Sequence, residues 1–512
     1  MSRPTTRRGF FRHTAAGGAA LGLAQWGLPW LGALPRVSAD EAQLDPHVVR
    51  FHADIEPLVR LIEESPRERL LEEVAARIRA GTSYQEVLAA LQLAGVRNVQ
   101  PRPNVGFKFH AVLVVNSAHV ASLASSEADR WLPIFWALDY FKQAQAEDER
   151  QGDWTMAPVD ESAVPPAHRA REALVAAMDN WDVAAADAAV AGLARTAGSH
   201  ELFELFCRYG ARDFRDIGHK AIFVANSWRT LQAIGWQHAE PILRSLTYAL
   251  LNHEGQNPAT RDGDADRPGR QNAELATQFR EDWLAGSPDP GATIDLLATL
   301  REATAADACA RTVELVNGGV AVESLWDAVF QAAGELLVRQ PGIVALHAMT
   351  SSNALYYAYQ TSADDRTRRF LLLQNVAFVP LFREAIRARG GTTEGVALDQ
   401  LEPAEWSASG SEAVQEILAD VSSDRLLAAR KTLAYLSAGG DPTALVDAAR
   451  RLVFFKGTNS HDYKFSSAVL EDYLFRSPEA GQRYLAASMF NLRGSSDRES
   501  RLVARTLAAL GA

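Results

Sequence analysis

Apolar residues recur every three to four positions through four Ala-rich stretches, 71–95, 185–210, 309–334 and 428–453. That period is the one an amphipathic α-helix presents to a core. Each stretch is interrupted by glycine and resumes after Ser83, Ser199, Val322 or Asp441, the punctuation of a helical hairpin. A third apolar helix follows each hairpin, introduced by a glycine and a histidine. The four versions are Gly106–Asn116, Gly218–Asn226, Gly342–Asn353 and Gly457–Ser467. His110, His347 and His461 each lie six residues before the closing Asn or Ser; His219 lies seven before Asn226. A fourth apolar segment completes each unit, at 131–141, 239–251, 369–382 and 482–490. Pro241 suits a first helical turn, and Pro380 is placed to bend its helix late.

The expectation is an all-α protein of about sixteen helices in four repeated four-helix modules, closed into an α/α ring or stacked as a compact solenoid. The modules span 40–151, 167–252, 291–389 and 411–512. Segments 253–290 and 390–410 read as polar linkers, and 152–166 joins the first two modules. Within 253–290, Asp262, Asp264 and Asp266 resemble the start of a calcium loop. Arg267 and Ala273 stand where such a loop needs Gly and Glu, so the segment reads as a solvated loop.

Residues 1–39 read as a twin-arginine export signal: Arg7-Arg8 in the n-region, an Ala/Gly/Leu-rich stretch, and Val37-Ser38-Ala39 as the cleavage site. The expected location is periplasmic or extracellular, with the twin-arginine translocase as a partner during export. No later run reaches the roughly 20 apolar residues of a membrane span. Removing 1–39 leaves 47 basic against 63 acidic residues. Such a chain repels nucleic acid and anionic lipid. Cys207 and Cys309 form no CxxC or CxxCH, which excludes covalent haem and iron–sulfur ligation. Whether the two pair is open. The glycine-rich signatures of flavin, nicotinamide and P-loop folds are missing as well.

Four histidines at one repeated position bring four imidazoles into play as proton carriers or metal ligands. The competing reading is that each ring caps its own helix. His110, His219, His347 and His461 are therefore the candidate catalytic residues, joined by Lys464, three residues after His461 and on the same helical face. Asn116, Asp216, Lys220, Asn226, Asn353, Trp236 and Tyr357 are candidate substrate contacts. A transition metal is one expected cofactor, with His219, His347, His461 and His238 as candidate ligands, and NADPH is a candidate electron donor. His119 lies about 180° round the helix from His110 and faces another way.

The phrases HAMTSSNALYYAY (347–359), followed by RRFLLLQNVAFV, and SHDYKFSSAVLEDYL (460–474), followed by YLAAS, resemble the questin oxidase-like family. That family is all-helical, and it is named for an enzyme that opens a quinone ring in a Baeyer–Villiger-like step. The resemblance implies an oxidoreductase acting on an aromatic, quinone-like or other apolar molecule. Its cavity would be lined by His219, His347, His461 and Lys464. The alternative is a non-catalytic helical protein that binds an apolar small molecule.

Overall fold

The computed structural model of the chain describes residues 47–102 and 109–511. The export-signal reading of 1–39, and Gly106 at the head of the first histidine segment, fall outside these residues. Among the described residues the structure is all-helical, 71% helix in 22 α-helices, and no strand forms. All sixteen expected helices are present. The segments expected as hairpins are helical, at Arg67–Arg79 and Tyr84–Asn98, Val183–Thr196 and Ser199–Ala211, Ala305–Asn317 and Val322–Arg339, and Arg425–Ser437 and Pro442–Lys456, but the two helices of each pack chiefly on other helices rather than on each other. Ser83 caps its helix through a reciprocal box with Glu86, and Asp441 accepts from Thr443 N. The other two second helices begin at Ser199 and Val322, after Gly198 and Ala321, with no side-chain cap.

Six further helices were not anticipated: Glu56–Glu64, Ala167–Asp179, Arg267–Leu275, Pro290–Glu302, Gly410–Asp420 and Arg501–Leu510. Arg267–Leu275 lies in the segment expected to be a polar loop. Pro268 at its first turn pre-sets the helical φ, and Pro268, Gly269 and Asn272 supply a short buried face. The acidic cluster before it is occupied by arginines: Asp266 pairs with Arg215, Asp264 with Arg267 at 2.8 Å, and Asp262 with Arg270. Pro380 sits inside Asp365–Arg387, which continues as helix through it.

The four histidine helices are α1 (His110–Leu123), α2 (His219–Ile234), α3 (Ile343–Thr361) and α4 (Ser460–Asp472). α1 packs on α2 and α4, and α3 packs on the same two, so the four close into a four-sided bundle. From His47 onward the chain is one compact unit. No described helix is long and apolar enough to cross a membrane.

Candidate metal centre

Each histidine occupies the first turn of its helix or the start of the second, so all four meet at one end of the bundle. The rings follow one another round it: His110 to His219 at 5.1 Å between centroids, His219 to His347 at 4.3 Å, His347 to His461 at 5.3 Å, and His461 to His110 at 4.8 Å. The helices run in register below this point. Asn116 and Asn226 meet one to two turns further along, and Ser467 Oγ donates to Ser117 O at 3.0 Å.

Local backbone fixes two of the rings. Before α2, Asp216, Ile217 and Gly218 are all left-handed, with φ of 56°, 48° and 80°. A β-branched residue there is strained, and the turn is held by its surroundings rather than by preference. The turn delivers the Asp216 carbonyl to His219 Nδ1 at 2.6 Å. His347 Nδ1 lies 2.6 Å from the Ile343 carbonyl. A carbonyl only accepts, so both Nδ1 atoms carry the hydrogen. In the neutral rings both Nε2 atoms are therefore bare lone pairs. Those lone pairs face each other at 2.8 Å, and His110 Nε2 lies 3.2 Å from His219 Nε2.

Two bare nitrogens at 2.8 Å repel unless a cation lies between them. Burial pushes the pKa of His219 and His347 well below the ordinary value, with Lys464 and the neighbouring histidines acting in the same direction. A proton is thus the poorer candidate. A metal fits: ligand nitrogens about 2.1 Å from one ion stand roughly 3.0 Å apart at right angles and about 3.4 Å apart in a tetrahedron. The ligand atoms of His110, His347 and His461 also lie within 4.8 Å of one another. His219 stands beside this group, its Nε2 3.2 Å from His110 Nε2 and 2.8 Å from His347 Nε2. Backbone acceptors on the far nitrogens are the usual way of orienting metal-binding imidazoles. Phe109 lies tilted against His110 at 4.2 Å between centroids and meets His219 edge-on at 5.0 Å, which fixes the rings from the outside.

Lys464, the expected neighbour of His461, is buried, and its amine has no hydrogen-bond acceptor among the described residues. Burial lowers its pKa to about 7, and burial together with that lysine lowers His461 to about 3. Lys464 lines a polar void with Asn116, Asn226, Asn353, Thr350 and Ser467. The void is about 10 Å³, room for about one water. This void does not admit a ring of the kind the resemblance implies.

Several candidates lie elsewhere. Lys220 points away from the histidines: its amine donates to Asp213 Oδ2 and Asn252 O, both at 3.0 Å, over the Trp181 ring. His238 lies beyond the far end of α2, beside His52 and Gln237, whereas His110 lies with His347 and His461. Trp236 packs on Trp228, and Tyr357 lies under Arg229 with its hydroxyl on Gln232. Asp216 acts through its carbonyl, while its carboxylate accepts from Asn252. His119 bonds Tyr84 outside the bundle. The residues the sequence did not single out are Phe109, Ile343 and the Ile217–Gly218 turn.

The fold and site thus define an all-helical protein with four converging imidazoles, those of His110, His219 and His347 buried and that of His461 half-buried. No protein-family model, curated protein or solved structure matches the chain.

Proposed function

We propose that this protein is a metal-dependent oxidoreductase whose ion is held by His110, His219, His347 and His461. The carrying observation is the 2.8 Å approach of two Nε2 atoms whose Nδ1 partners already commit them to the lone-pair form. A redox-active transition metal there would supply electron transfer to dioxygen or to a bound quinone. The chain's own contribution is to fix the tautomers, exclude bulk water, and keep Lys464 beside the centre to hold an oxyanion.

The substrate reading, an aromatic or quinone-like molecule, rests on the resemblance to the questin oxidase-like family. The four modules are read as diverged repeats arranged round the bundle, each contributing one ligand. Export by the twin-arginine route fits a protein that folds and takes up its ion before transport. The non-catalytic alternative, an enclosed apolar ligand, is disfavoured by a central void with room for about one water.

The test is elemental analysis of protein purified without chelator, followed by oxygen uptake with hydroxylated quinones. About one transition-metal ion per chain, lost in the His347→Ala, His461→Ala double variant together with oxygen uptake, supports the reading. Absence of metal, or uptake unchanged in the double variant, refutes it.

A further inference from the structure

Beside the strained turn that carries His219, the surface opens into a recess of about 450 Å³ lined by Phe214, Asp216, Ile217, His219, Ala385 and Arg389. That volume lies in the range of small-molecule sites, whereas the void next to Lys464 does not. His219 is only 6% exposed, yet it borders the recess, so here a histidine of the cluster meets space open to a ligand.

The lining divides by chemistry. Phe214, Ile217 and Ala385 give an apolar wall, and Phe214 is held edge-on by Phe378 and Phe382 at 5.0 and 4.9 Å. The Asp216 carboxylate is already engaged by Asn252 Nδ2 at 3.3 Å. Arg389 supplies the cation of the lining. Its Nη1 donates to Ala385 O at 3.0 Å, and no carboxylate pairs with it among the described residues. Its neighbour Arg387, by contrast, is taken by Glu384 at 3.0 Å. In a chain with 63 acidic residues, an arginine at a pocket rim without an acidic partner leaves its remaining N–H groups for an anion.

We infer that this recess binds the substrate as an aromatic body ending in an anionic group, carboxylate or phenolate, with Arg389 as the residue that selects for the charge. The inference rests on the cluster being the reaction centre, and it names the ligand class that reaches it. The flat apolar wall takes the ring, Arg389 takes the anion, and the opposite edge of the ring is brought to the His219 side.

The probes are 2-naphthoate and its uncharged amide, 2-naphthamide, titrated calorimetrically into wild-type protein, Arg389→Ala and Ala385→Trp. The expected result is tighter binding of naphthoate than of naphthamide. Arg389→Ala should weaken naphthoate about 10-fold or more and leave naphthamide unchanged, because a charge-assisted bond is lost. Ala385→Trp, which fills the recess, should weaken both. Failure of 2-naphthoate to bind, equal affinity for acid and amide, or indifference to Arg389→Ala overturns the inference, as does binding undiminished in Ala385→Trp. Metal content of Arg389→Ala separates the two proposals. Metal bound at wild-type level with no arginine dependence of naphthoate sinks the recess alone. Arginine-dependent naphthoate binding by a chain that takes up no metal sinks the reaction centre and leaves the recess as an anion-selective aromatic site.

Discussion

His219 and His347 present their Nε2 atoms to each other at 2.8 Å while each donates its Nδ1 hydrogen to a carbonyl, of Asp216 and of Ile343. Neither ring has a proton to give the other, so a cation between them would complete the contact proposed above. Saturating transition metal should therefore raise the thermal midpoint. At a free concentration 100 times Kd the gain is about 2.7 kcal/mol of stability, and a chelator should remove it. His347→Ala should lower metal affinity by at least about 100-fold, more than the loss from an outer-shell partner. Calorimetric titration checks both; a midpoint insensitive to metal and chelator would remove the basis of the site.

Gly218 is held at φ of 80° directly before His219, and a Cβ added there would lie 2.7 Å from Ser351 Cβ on α3. Backbone conformation and packing both reject a side chain. Gly218→Ala should cost about 2–4 kcal/mol of stability, the scale of a forced clash plus a left-handed alanine. Because the turn aims the Asp216 carbonyl, metal affinity should fall as well. Denaturant unfolding reads the first effect and metal titration the second. Unchanged stability would mean that the turn is free to relax away from α3.

What the sequence showed and hid divides along physical lines. Helical periodicity was visible because each helix buries one face, and the recurring Gly-His phrase was visible because four side chains carry it. The groups that settle the chemistry, the Asp216 and Ile343 carbonyls, are backbone and leave no mark on composition. Lys220 was misleading because one residue along a helix is about 100° of rotation, which turns it from the cluster towards Asp213 and Trp181. His238 follows α2, whose sixteen residues span roughly 24 Å, so an HxE pattern there cannot reach a site at the head of that helix. The register that brings Asn116 against Asn226 depends on how helices pack, which pairwise spacing along one chain does not encode.

Asp472, at the end of α4, is fully buried, accepts from Asn353 Nδ2 at 2.8 Å and Tyr484 OH at 3.1 Å, and has its pKa raised from 3.8 to about 8. Burial is the main cause, with Glu471 adding repulsion. A carboxyl whose pKa is raised by folding favours the folded state at low pH. Its contribution is fully present below about pH 4 and is lost as pH rises through about 8. Unfolding free energy measured across this window should decline less steeply in Asp472→Asn than in the wild type. Identical slopes would show that the carboxyl is ionised in the folded protein.

Cys207 and Cys309 are both buried and unpaired, so no disulfide constrains the described fold. Burial raises both thiols, Cys309 to about 12, leaving little thiolate to react. A thiol reagent should label neither in the native state and two per chain after denaturation. Thermal unfolding should be the same with and without reductant. Fewer than two labelled thiols in the unfolded chain would place a covalent bond where the structure has none.

Lys464 separates stability from function. Its amine is fully enclosed with no acceptor among the described residues, so the folded protein carries the cost of a buried, unsatisfied donor, about 1–3 kcal/mol. Methionine has similar length and no such donor. In metal-free protein, Lys464→Met should therefore raise stability by roughly that amount, whereas a lysine placed only for packing would show no gain. With the centre loaded, the same change removes the positive group beside the four histidines, and oxygen uptake with hydroxylated quinones should fall by at least about 10-fold. A variant that is no more stable than wild type, or that keeps full turnover, would show that the amine finds its partner in the protein itself and has no part in holding an anion.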